Sequence, residues 1–179
     1  MNKQVDSNVI AAAFDSVYKF NDISKQFDFS NKQDAIAGID LQLSLIFEEL
    51  TETIDALDTG LSESPNADKR EAAQELLDGA ADLFVVTMGL LQKLKVAGFN
   101  VEEALLRVTE NNLSKFPVAI NAQDWNWYES QGWTPVHNEE YNCFVLKDKN
   151  GKTRKPVNYA PVDLSGTFPV DFFTENVNV

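Results

Sequence analysis

One stretch, Lys69 to Leu94 (KREAAQELLDGAADLFVVTMGLLQKL), limits the fold more than any other. Glu71, Glu75, Asp78 and Asp82 fall at i, i+4, i+7 and i+11. On a helix they form one acidic stripe roughly 60° wide. The same angular sector continues through Val85, Val86 and Gly89, and beyond Asp82 the segment is apolar almost all round. A helix of that kind is expected to be buried, so the lower end of the stripe is expected to face protein. Carboxylates placed there without partners are costly. Lys69 and Arg70 project from other faces of the helix. A metal cation is the expected partner.

A second helix is expected from about Ala35 to Leu57, with Leu43, Ile46, Phe47, Leu50, Ile54 and Leu57 as its apolar face. Its other side is unusual. Leu41 and Leu45 share a sector with Glu48, Glu52 and Asp55, so this side is apolar first and acidic later. A plain solvent face would not begin with two leucines, so the carboxylates are expected to face inward or into a cleft. Glu49 lies close enough to that sector to converge with Glu52 on one ligand.

Two helices would thus each present clustered acids: Glu48, Glu49, Glu52 and Asp55 on one, Glu75, Asp78 and Asp82 on the other. Such hard oxygen donors suit Mg²⁺, with Mn²⁺ as a substitute, rather than zinc or copper. A magnesium site open to solvent points to phosphate chemistry, with a neighbouring carboxylate taking the proton of an attacking water. A di-iron bundle would need Glu-x-x-His motifs, and no helical histidine exists. The competing reading is a solvated acidic face on a structural bundle.

Composition narrows the partners. The 179 residues suit one compact domain with an appendage. A net charge of −13 argues against direct nucleic-acid or anionic-membrane binding, but not against a nucleotide held through a metal. The single Cys143 cannot form an intrachain disulfide, and the lone His137 reads as a surface residue in a loop-like TPVHN segment. With no signal-peptide core and no membrane-length apolar run, a soluble, cytoplasmic protein is expected.

The rest of the chain frames these two helices. Val9, Ala12, Ala13, Val17 and Phe20 predict a first helix over residues 5–20, capped by Asp6 or Ser7, and residues 21–34 a loop or short helical turn. Residues 58–68 are rich in turn formers and connect the acidic helices, with Asp68 as N-cap of the third and Gly98 beyond its end. Asn100-x-x-Glu103 opens a fourth helix, which Phe116-Pro117 closes. From Val118 tryptophans and tyrosines sit among Asn, Gly and Pro, and Asn150-Gly151 predicts a hairpin near residues 143–157. Residues 157–179 read as an extended tail docked by aromatics. The tryptophans are expected to cover apolar helix surface, with stacking on a base as the alternative. The predicted organisation is all-α: a four-to-five-helix bundle over residues 1–117 carrying the metal-binding catalytic groups, and an aromatic-rich extension over 118–179 with a small β-hairpin.

The spacing of these motifs resembles a known family. E-E-L-T-E at Glu48–Glu52 followed by E-L-L-D at Glu75–Asp78 is similar to the E-E-x-x-E … E-x-x-D signature of the all-α nucleotide pyrophosphohydrolases, the superfamily of MazG, dimeric dUTPase and phosphoribosyl-ATP pyrophosphohydrolase. The resemblance is nearest to a phage-borne branch, which would place the protein in a host cytoplasm. It extends through Leu41–Glu49, Leu77–Gly89, Val108–Phe116 and Asp148–Leu164. It implies Mg²⁺-dependent hydrolysis of nucleoside triphosphates between the α and β phosphates, and assembly as a homodimer or homotetramer. Carried over, the metal ligands are Glu49, Glu52, Glu75 and Asp78. Asp82 competes with Asp78, because in many members the motif's aspartate precedes an apolar run like the one after Asp82. Glu48 or Glu75 would be the base, so that Glu48, Glu49 and Glu75 form the catalytic group. Asn112 and Lys115 match residues that resemble sugar and phosphate contacts; a helix C-terminal cap is the alternative for Asn112. Two positions depart from the pattern: Gln42 stands where relatives often carry Arg, and Asn21 where they often carry His. A non-catalytic helical module that binds a nucleotide or a protein is the alternative function.

Overall fold

The computed structural model of the chain describes residues 5–64 and 68–174. Residues 1–4 at the start of the chain, 65–67 of the expected connecting loop and 175–179 of the expected tail lie outside the described residues. Among the described residues the fold is mostly helical, with five helices and one two-stranded antiparallel hairpin.

Helix α1 spans Ser7–Ile23. The Asp6 carboxylate accepts from Asn8 N at 2.8 Å and so caps the helix, settling the choice between Asp6 and Ser7. Helix α2 spans Lys32–Leu61 and starts a turn earlier than the apolar pattern predicts. The cause is local: Asn31 accepts from Asp34 N at 3.0 Å, while Ser30 N and Asn31 Nδ2 both donate to the Asp34 carboxylate. Helix α3 spans Lys69–Val96. Asp68 caps it by accepting from Arg70 N and Glu71 N, both at 3.0 Å. Gly98, just beyond its end, has φ of +93°, the left-handed region that glycine enters without strain. Helix α4 covers Val101–Leu113 and α5 covers Ala122–Ser130. The latter lies in the aromatic-rich extension, and Asn121, accepting from Asp124 N at 2.8 Å, caps it.

The described residues form two compact units, one from the ranges 1–101 and 169–179, the other from 102–168. The composition change at Val118 lies inside the second. In the first, α2 and α3 pack along each other and α1 packs on α3. The α2–α3 contact is made through small residues. A Cβ on Gly79 would lie 2.4 Å from Thr53 Oγ1, and one on Gly89 would lie 2.9 Å from Gln42 Nε2. Gly60 faces the Ala72 methyl. Rising numbers on α2 meet falling numbers on α3, so the pair is antiparallel. Buried amides add polar contacts: Gln42 Nε2 donates to Val86 O at 2.9 Å, and Asn21 Nδ2 to Gln92 Oε1 at 3.0 Å. At the other end of α3, Phe172 is buried edge-on against Phe99, and Lys32 Nζ donates to Asp171 O and Thr174 O.

The second unit is built around Tyr128 and Leu146, both fully enclosed. Trp133 stacks on Tyr128 and meets Trp127 edge-on, and the Tyr128 hydroxyl accepts from Val157 N at 3.1 Å. Trp127 and Trp133 therefore pack on each other and on the tyrosine, while Trp125 meets Phe144 edge-on. The hairpin pairs β1, Thr134–Asn138, with β2, Cys143–Lys147, in the register Val136 to Val145. This corrects the expected hairpin about Asn150-Gly151. That turn does form, with Gly151 at φ +77°, but the chain after it makes one bridge, Lys147 to Thr153. Pro156 has no N–H to extend the pairing.

Burial of α3 differs from expectation in one respect. The helix is covered by α1 and α2 on one side, whereas Leu77 is 74% exposed and Val85 also faces out. One chain has too few helices in this unit to surround it. No helix among the described residues is long and apolar enough to cross a membrane.

Candidate functional site

Because Gly79 lacks a side chain, the α3 backbone lies close to Thr53 of α2. Thr53 Oγ1 turns back to donate to Glu49 O at 2.7 Å, which leaves room for that approach. Helical spacing then places acids of both helices around one cavity of about 300 Å³. From α2 come Glu49, Glu52, Asp55, Ala56 and Thr59, and from α3 Glu75, Asp78, Gly79 and Asp82. Six of these nine carry carboxylates, and among the described residues no lysine, arginine or histidine lines the cavity.

Asp78 and Asp82 both line the cavity, so the two sequence registers are not exclusive. Asp82 is half-buried, while Glu52, Glu75 and Asp78 are exposed at its rim. Glu75 and Asp78 also line an adjoining depression with Gln74, Leu77 and Ala81. Glu48 is exposed and does not line the cavity; its charge acts on neighbouring Glu49. Asp55 belongs to the acidic cluster legible in the sequence but is not among the expected ligands. Thr59 is not foreshadowed at all, and its one signal is its position four residues after Asp55 on the same face.

The crowding is felt most at Glu49. Partial desolvation pushes its carboxyl above the usual range, and the charges of Asp82, Glu52, Glu48 and Asp78 push it further. Asp82 is the strongest of the four neighbours. Among the described residues no three acidic, histidine or cysteine side chains converge at metal-coordinating separations. Like charges spread apart when nothing positive lies between them. The donor set nonetheless suits a hard divalent cation, since it consists of carboxylate oxygens with Thr59 beside them.

Gln42, at the arginine position of the resemblance, is buried against α3 at Gly89 and acts in helix packing. Asn21, at the histidine position, is likewise spent on Gln92. Asn112 and Lys115 belong to the second unit. There Lys115 Nζ donates to Asn112 Oδ1 at 2.6 Å and lies 5.9 Å from the centre of the Tyr159 ring. The Asn112 side chain is thus engaged by the ammonium. His137 is exposed on β1, its ring beside Phe144.

One charged residue is not foreshadowed by the sequence pattern. Lys93 of α3 is 1% exposed, and its ammonium donates to Gly38 O at 3.2 Å and Gln26 Oε1 at 3.3 Å. Burial lowers its pKa from the ordinary lysine value. Its signal is weak, because a lysine near a helix C-terminus is an ordinary surface residue.

Comparison with known protein families, with curated proteins and with solved structures gives no match for this chain.

Proposed function

We propose that the protein is a Mg²⁺-dependent nucleotide pyrophosphohydrolase that cleaves a nucleoside or deoxynucleoside triphosphate between its α and β phosphates. The observation that carries this reading is the cavity between α2 and α3, with six carboxylates and no basic residue among the described residues of its lining. An anionic substrate does not enter such a cavity unless a cation accompanies it. Mn²⁺ would substitute for Mg²⁺. The order of the E-E-L-T-E and E-L-L-D motifs, and their resemblance to the all-α nucleotide pyrophosphohydrolases, supports the same chemistry.

In this reading Glu49, Glu52, Asp78 and Asp82 hold the metal, with Glu75 at the rim. Held by these residues, magnesium would supply neutralisation of phosphate charge and a more acidic water. The chain's own part is to place carboxylates on two antiparallel helices and to receive a proton. Glu48 or Glu75 is the base in this account, since each stands next to the ligands without being enclosed among them. A cation held there would oppose the upward push that burial and the neighbouring carboxylates exert on Glu49. Asn112 and Lys115 carry the amide and ammonium that the resemblance assigns to sugar and phosphate recognition. Assembly as a homodimer or homotetramer belongs to the same reading.

The test is release of pyrophosphate in the presence of Mg²⁺ from a panel of dUTP, dCTP, dGTP, their ribose counterparts and modified nucleotides. Release from at least one, abolished by Glu49→Gln, is the expected result. Nucleotide binding without turnover would favour a non-catalytic module, and no release across the panel would sink the proposal.

A further inference from the structure

The second unit gathers cations that the functional proposal leaves mostly unused. From Lys147 to Lys155 the chain carries five basic residues and one acid, Asp148, although it has 28 acidic against 15 basic residues overall. That acid is spent inside the turn. The Asp148 side chain is 8% exposed, and its carboxylate accepts from Asn150 N and Lys152 N, both at 2.9 Å, and from Arg154 Nη2 at 2.6 Å. Asp148 and Arg154 thus satisfy each other and hold the turn, while Lys147, Lys149, Lys152 and Lys155 stay exposed.

One of these lysines is held in place. Lys155 Nζ lies 4.6 Å from the centre of the Tyr159 ring, and Lys115 Nζ, from the segment after α4, lies 5.9 Å from the same centre. At that range the ring's quadrupole attracts an ammonium. The ring is itself fixed: its hydroxyl donates to Asn111 Oδ1, and Asn111 Nδ2 donates to Ala160 O at 2.8 Å. Lys115 is further oriented by donating to Asn112 Oδ1 at 2.6 Å. Neither lysine has a carboxylate partner among the described residues. Two ammoniums held at one ring without a carboxylate repel each other, and an anion between them relieves the repulsion.

We infer that Lys155, Lys115 and Tyr159 form a seat for a condensed phosphate, the pyrophosphate group of inorganic pyrophosphate or of a nucleotide's polyphosphate tail, and that this seat works without a metal. Ammonium groups meet phosphate oxygens through charge-assisted hydrogen bonds. Two ammoniums brought from different segments suit two linked phosphates, because each can take oxygens of its own phosphorus. The surrounding charges of Lys147, Lys149 and Lys152 raise the local concentration of such an anion. Lys155 supplies charge, and Tyr159 with Asn111 positions it. The functional proposal gives Lys115 a phosphate contact through the resemblance and gives Lys155 and Tyr159 no role. The seat does not rest on hydrolysis at the acidic cavity.

The experiment is isothermal titration calorimetry of the full chain in EDTA, with sodium pyrophosphate in one arm and an α,β-methylene deoxynucleoside triphosphate in the other. Saturable binding is expected, and the arm that binds more tightly names the source of the phosphate. Lys155→Gln should weaken binding by about tenfold and Asn111→Ala by a smaller factor, both with unchanged circular dichroism. Lys155→Arg should keep most of the affinity. Lys149→Gln removes the same charge from the exposed turn and should change affinity by less than about twofold. Absence of saturable binding in both arms, equal losses in Lys149→Gln and Lys155→Gln, or tighter binding of a single-stranded oligonucleotide than of either probe would overturn the inference. Because EDTA removes divalent metal, failure here leaves the hydrolase proposal standing, and absence of hydrolysis leaves the seat standing.

Discussion

Along α3, charge is handled in two opposite ways. At Glu75–Asp82 three carboxylates face three more from α2 around an open cavity, with no positive group among the described residues of the lining. About three turns further on, Lys93 is enclosed, and a backbone carbonyl and a side-chain amide accept from its ammonium. Both ends resist charge: the Glu49 pKa moves up and the Lys93 pKa moves down. The causes differ. Lys93 is desolvated by the fold, which also supplies its hydrogen bonds, so its environment is complete within the chain. Glu49 is only half-buried, and the chain surrounds it with like charges. The first arrangement is structural. The second is open to solvent and calls for a cation from outside, which is what the proposed function requires.

Substitutions at the two ends should therefore behave differently. The largest effect is expected for Asp82→Asn or Glu52→Gln. Each should lower kcat/KM for Mg²⁺-dependent pyrophosphate release by on the order of 100-fold, with little change in thermal stability. An unchanged rate would remove these residues from the catalytic account. Next comes Gly79→Ala, whose methyl would press on Thr53. Chemical denaturation should show a loss of about 1–3 kcal/mol, with a wider α2–α3 separation and weaker metal binding. Full stability in this variant would mean that the helices are not held as closely as the cavity geometry needs.

Lys93→Met should act in the opposite direction, raising the melting temperature by about 2–6 °C and leaving turnover intact. The sign of its pH dependence is set by the lowered pKa. The cost of burying the ammonium is fully present below the folded-state pKa, and it disappears as pH rises from there to the unfolded value of 10.5. The wild type should thus close the gap to Lys93→Met as pH increases, in melting curves recorded from neutral to alkaline pH. The smallest effect concerns Glu49 without metal. A carboxyl with a raised folded pKa costs stability above that pKa, and the cost vanishes as pH falls to its unfolded value of 4.5. Glu49→Gln should melt slightly higher than wild type near neutral pH and equally at the acid end. Added Mg²⁺ should reverse the neutral-pH order by stabilising only the wild type.

The same contrast explains what is legible in the sequence. Local signals are: the Asp68 cap, Gly98 beyond α3, and carboxylates whose helical spacing puts them on one face. The cavity results from two such faces meeting. Features that depend on which segments meet are not legible. Strand β2 pairs along its length with residues upstream of it and makes a single bridge, Lys147 to Thr153, across the Asn150-Gly151 turn, with Pro156 lacking an N–H to extend that side. Lys93 looks like an ordinary lysine in the last turns of a helix, and only the approach of Gln26 and Gly38 encloses it. Gln42 reads as a departure from a phosphate-binding arginine, yet its environment is set by Gly89 on the neighbouring helix. The apolar face of α2 reads as a core face, yet Leu43, Phe47, Leu50, Ile54 and Leu57 are exposed, since periodicity shows that a face is apolar but not whether its own chain covers it.

The central claim, that the α2–α3 carboxylates bind a divalent cation, is tested most directly by titrating the protein with Mn²⁺ and monitoring the free ion by electron paramagnetic resonance. We predict saturable binding, competed by Mg²⁺ and lost together in Glu49→Gln and Asp82→Asn variants that remain folded. Absence of saturable binding in the wild type, or binding that both variants retain, would contradict it.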